Sequence, residues 1–139
     1  MADMNYYDTF IAVADDCPAN SGMVPELFRE KETIATIQWQ LLNDHPYQLT
    51  QEDVLFQTEW IKEGKNPLSA TQKERDEFFA RPRACLRSSP LGKKYGWGLH
   101  FDNHGKIALY SCSAVEYNQL KSDSHLTQTK AMNTKRQQG

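Results

Sequence analysis

The chain has 139 residues, 39% hydrophobic and 24% charged, with a formal net charge of −2. That length suits one domain around one core, and the slightly acidic balance disfavours nucleic acid as a partner. No apolar run approaches the roughly 20 residues a membrane helix needs, so no membrane partner is expected, and Met1-Ala-Asp-Met-Asn lacks a signal peptide's basic start.

Three cysteines without a C-x-x-C spacing give neither a disulfide framework nor a zinc ribbon, so a cytoplasmic location is expected. Charge is unevenly spread. Lys121, Lys130, Lys135 and Arg136 against Asp123 give the last nineteen residues +3, which leaves −5 for residues 1–120.

Thr9-Phe10-Ile11-Ala12-Val13-Ala14 is short, apolar and β-branched, the signature of a strand covered on both faces and central in a small sheet. Asp15-Asp16-Cys17-Pro18 ends it. Ile34, Ile37, Leu41 and Leu42 recur at helical spacing, with Thr33 as a candidate cap and His45-Pro46 as the stop. Thr50 before Glu52 and Asp53 is a good helix start, because a hydroxyl caps the first amides and acids suit the positive end of the dipole. Gly64 and Pro67 close that segment. Ser69 with Gln72 reads as a capping box for a helix reaching Phe78, Phe79 and Ala80, where Pro82 stops it.

Trp97, Leu99 and Phe101 alternate with Gly98 and His100, placing three large apolar side chains on one strand face. Asp102-Asn103-His104-Gly105 fits a type I turn closed by a left-handed glycine, and Ile107–Tyr110 returns as the second strand of a hairpin. Ser113 is placed to cap a short helix with Val115, Tyr117 and Leu120. The expected fold class is α+β: a small, mainly antiparallel sheet of the 9–14 strand and the 97–112 hairpin, covered by three or four helices. Residues 1–121 form the expected single globular domain. Residues 122–139, poor in apolar side chains, read as a disordered basic tail.

The stretch before the hairpin carries the most chemistry. From Phe78 to Phe101 there is no Asp or Glu, while Arg81, Arg83, Arg87, Lys93 and Lys94 all fall inside it among Ser88, Ser89, Gly92 and Gly96. Arginine forks and hydroxyls hold anions, and glycines let backbone amides approach a ligand. Arg83, Arg87, Ser88, Ser89, Lys93 and Lys94 are therefore the candidate ligand-binding residues for an anionic small molecule or partner. The plain alternative is a solvated surface loop. No Walker sequence and no G-x-G-x-x-G is present, so no nucleotide cofactor is indicated.

A second chemistry is thiol catalysis. Cys85 sits two residues before Arg87, in a setting that favours a thiolate, and His100 supplies a candidate base. The plain alternative is a packed cysteine and a surface histidine. Cys17 is weaker, since Asp15 and Asp16 beside it oppose a thiolate. Ser89 and Lys93 miss the S-x-x-K spacing. His100-x-Asp102 with His104 is better explained by turn chemistry than by a metal site. Trp39 and Trp60, off the main apolar stripes of their helices, are candidates for aromatic surface in a homodimer or partner contact, with completion of the core as the equal alternative.

Several stretches together resemble a known family: ADDCP at 14–18, HPY at 45–47, CLRSSPLGKKYGWGLHF at 85–101 and GKIALY at 105–110. They are similar to small bacterial proteins of about this length catalogued as a domain of unknown function. The resemblance covers roughly residues 5–120. It implies one cytosolic domain and brings no catalytic residue, cofactor or substrate with it.

Overall fold

A strand of four buried residues, β1 (Thr9–Ala12), lies second from one edge of a four-stranded sheet. The computed structural model describes residues 3–134 of the chain. Among them the remaining elements are α1 (Ile34–Asp44), α2 (Gln51–Lys62), α3 (Gln72–Phe79), the single-turn α4 (Pro90–Lys93), β2 (Trp97–Phe101), β3 (Ile107–Ser111), α5 (Val115–Lys121) and β4 (Thr127–Lys130). The strand order is β3-β2-β1-β4, antiparallel except for β1 with β4. The fold class is α+β, as the sequence implies.

The two faces of the sheet follow from strand alternation. Ile11, Leu99, Phe101 and Ile107 point to one side, where Leu42 of α1, Val54 of α2 and Leu86 and Leu91 of the following loop complete the larger core. Phe10 and Ala12 point to the other side and pack with Tyr117 of α5. The hairpin turn is as read. Gly105 takes φ +76°, and the Asp102 carboxylate accepts from the amides of His104 and Lys106 at 2.8 and 2.9 Å.

Local capping is equally direct. Thr33 and Thr50 each close a reciprocal box with the residue three positions on, Thr36 and Asp53. The third box belongs to Thr71 and Glu74 rather than to Ser69 and Gln72. Asn66 caps a 3-10 turn at Pro67–Ser69, and the Ser69 hydroxyl is spent on the Asn66 carbonyl. Ser113 does not cap α5 either. Ala114 holds that position, and the Ser113 hydroxyl bonds the Ser111 hydroxyl. Trp39 packs against the larger core beside Trp97, and Trp60 is half-buried, stacked on Phe56 at 4.7 Å with Lys65 over its ring.

The segment read as a disordered tail behaves differently over its described part. Residues 127–130 pair in parallel with β1 from Thr9↔Thr127 to Ala12↔Lys130, Leu126 joins the smaller core, and Ala131 is buried in the larger one. Backbone pairing to a buried neighbour and two small apolar anchors hold an edge strand whose own side chains are polar. Residues 135–139, with Lys135 and Arg136, lie outside the described residues. No described helix is long and apolar enough to cross a membrane.

Candidate functional site

The acid-free loop turns sharply. A 3-10 turn at Leu86–Ser88 is followed at once by α4, whose N-cap is Ser89, so successive side chains point in different directions. Arg83 turns back to α3, donating from Nε to the Phe78 carbonyl at 3.0 Å with its guanidinium 3.7 Å over the Phe78 ring. Ser89 is buried, donates to Gln38 Oε1 at 2.6 Å and accepts from the Leu91 amide. Ser88 donates to the Met132 sulfur at 3.3 Å. Lys93 and Lys94 have no ion partner among the described residues.

The six candidate ligand residues therefore do not share one concavity. Arg83, Ser88 and Ser89 line a cleft of about 270 Å³ with Cys85, Gln38 and Glu59. Lys94 lines a separate groove with Tyr95 and Met23. Arg87 faces a third hollow, of about 430 Å³.

Cys85 and His100 are also kept apart. The Cys85 sulfur accepts from the Tyr6 hydroxyl at 3.3 Å, and Tyr6 packs edge-on against Phe101, on the α1–α2 side of the sheet. Burial and that thiol contact push the Tyr6 hydroxyl up to about 12. His100 alternates with Leu99 and Phe101 and so lies on the opposite side. There its Nδ1 meets the Tyr47 hydroxyl at 2.8 Å, and Tyr47 in turn meets Tyr110 at 2.6 Å. Burial lowers the His100 pKa and raises that of Tyr47. Tyr47 adopts φ +58°, a left-handed conformation unusual for an aromatic residue. The sheet separates the thiol from the imidazole.

The charged residues lining the hollow at Arg87 are all positive. Its floor is Ala12 of β1, and its walls are Arg87, Lys121 at the end of α5, and Gln128, Thr129 and Lys130 of β4. Arg87 donates from Nε to the Lys130 carbonyl at 2.7 Å, which fixes the guanidinium, and its terminal nitrogens have no hydrogen-bond partner among the described residues. The Met132 amide returns a bond to the Arg87 carbonyl at 2.8 Å. Gly92 is needed behind this seam, because a Cβ there would stand 2.9 Å from that of Ala131. Lys130 pairs with Asp15 at 2.8 Å, which raises its pKa. Lys121 has no ion partner among the described residues.

Sequence reasoning reached Arg87 but not Lys121, Gln128, Thr129 or Lys130. The available signal was the alternation of Thr127 and Thr129 with Gln128 and Lys130, together with the +3 charge of that end. The Tyr47–His100–Tyr110 chain was likewise not anticipated, although two of its residues lie in the HPY and GKIALY stretches.

No curated protein and no solved structure matches the chain. A family model does, over residues 1–137, and the chain belongs to that group, the Family of unknown function (DUF6157).

Proposed function

We propose that the chain is a non-catalytic module that binds a small anionic molecule, of the phosphate-bearing class, in the hollow at Arg87. The observation that carries this reading is the anchored guanidinium: Nε is held by the Lys130 carbonyl, and the two terminal nitrogens make no hydrogen bond among the described residues. A planar fork held in that way suits two oxygens of a phosphate or carboxylate. Lys121 and Lys130 add positive charge, and Lys130 is paired with Asp15. The volume of about 430 Å³ lies within the ordinary range for small-molecule sites.

Pyrophosphate at low ionic strength is the direct probe. It raises the thermal midpoint of the wild type, with the rise lost in Arg87→Ala, reduced in Lys121→Ala and weakened by added salt. An equal rise in Arg87→Ala, or none in the wild type, overturns the reading. No step in this proposal uses Cys85 or His100.

A further inference from the structure

A different part of the surface is apolar where it should not be. Met23, Val24, Leu27, Phe28 and Ile34 are each between 41% and 64% exposed, and together they line a groove of about 790 Å³ closed on its far side by Pro90 and Tyr95. Scattered exposed hydrophobes need no explanation, but five of them around one concavity mark a contact surface.

The charges around this groove say what kind of surface fits it. Lys62 and Lys94 line it, and so do Glu26 and Glu32. None of the four makes an ion pair among the described residues. A ligand of one sign would be attracted by one pair and repelled by the other. A second copy meets no such conflict. Across a twofold axis the same patch faces itself reversed, so the lysines of one copy can meet the glutamates of the other.

A tight backbone turn builds part of the groove's wall. Phe28 and Lys31 exchange both backbone hydrogen bonds at 2.9 Å around Arg29 and Glu30, which take φ +50° and +65°. That is the geometry of a tight hairpin turn normally given to glycine or asparagine. The Arg29 guanidinium lies 5.2 Å from the centre of the Phe28 ring. A side chain held this way loses little freedom when another molecule covers it.

We infer that this groove is the face through which two copies of the chain associate about a twofold axis. The inference is independent of the anion site, since none of its residues lines the hollow at Arg87.

Sedimentation velocity over a wide concentration range tests it with three variants. The wild type shows a reversible monomer–dimer equilibrium, and Phe28→Asp weakens it by about tenfold or more. Two further variants carry a single sign on the rim: Lys62→Glu with Lys94→Glu, and Glu26→Lys with Glu32→Lys. Each is monomeric alone, and an equimolar mixture of the two recovers the dimer, whichever lysine meets whichever glutamate. Far-UV circular dichroism and a cooperative thermal transition, both retained, show that the variants are folded. A wild type that stays monomeric throughout, a dimer that survives Phe28→Asp, or a mixture that fails to pair overturns the inference.

Discussion

Arg87 donates from Nε to the backbone carbonyl of Lys130 at 2.7 Å, joining residues 43 positions apart. The bond ties the turn before α4 to the last strand of the sheet. It also orients an arginine that lines the hollow.

Loss of that tie should be felt first in β4. Arg87→Ala is expected to cost about 1.5–3 kcal/mol, the range for a hydrogen bond to a charged group. Amide exchange should quicken over residues 127–132 ahead of β2 and β3. Urea denaturation and hydrogen exchange read both effects. Uniform exchange changes across the sheet would mean that Arg87 does not hold the strand.

The seam behind the hollow has no room for a methyl group at position 92. Gly92→Ala should destabilise by about 1–3 kcal/mol, the usual cost of overpacking, because its Cβ would lie 2.9 Å from that of Ala131. Adding Ala131→Gly should recover part of the loss. A double-mutant cycle in denaturant measures the coupling, and strictly additive effects would deny the contact.

Burial lowers the His100 pKa from its ordinary 6.5. Above that value both folded and unfolded chains hold a neutral ring, so the group contributes no pH dependence. As pH falls through about 6.5, the unfolded chain takes up a proton before the folded one, and stability declines until the folded ring also titrates. His100→Asn should flatten this part of the profile. Denaturation midpoints measured in steps across mildly acidic to neutral pH decide it, and an unchanged slope in the variant would assign the effect elsewhere.

Cys85 and His100 lie on opposite sides of the sheet, so they should be chemically independent. Alkylation of Cys85, followed by peptide mass spectrometry to separate it from Cys17 and Cys112, should run at the same rate in wild type and His100→Ala. Tyr6→Phe, which removes the 3.3 Å hydroxyl contact to the sulfur, should change it. A large slowing in His100→Ala would restore the pair.

What could be read from the sequence was what depends on near neighbours. Thr33 and Thr50 cap their helices within three residues, and Asp102 and Gly105 shape a turn within four. The central strand was legible because Thr9–Ala12 is apolar on both faces. Thr127–Lys130 was not, because its own side chains are polar and its partner, β1, lies 118 residues earlier at Thr9↔Thr127. The loop cations were gathered correctly as a composition but not as a direction. The 3-10 turn and α4 rotate Arg83, Arg87 and Lys94 toward three different hollows, and no count of charges contains that rotation.

The parallel pairing of β1 with β4 sets a timetable for the nascent chain. While it is being synthesised, the most apolar strand waits with one row of amides and carbonyls bare until residue 127 emerges, and contacts so distant in sequence form slowly. A product cut short before that point carries a sticky, uncovered border. Such fragments should clump or be degraded rather than persist as a smaller working domain.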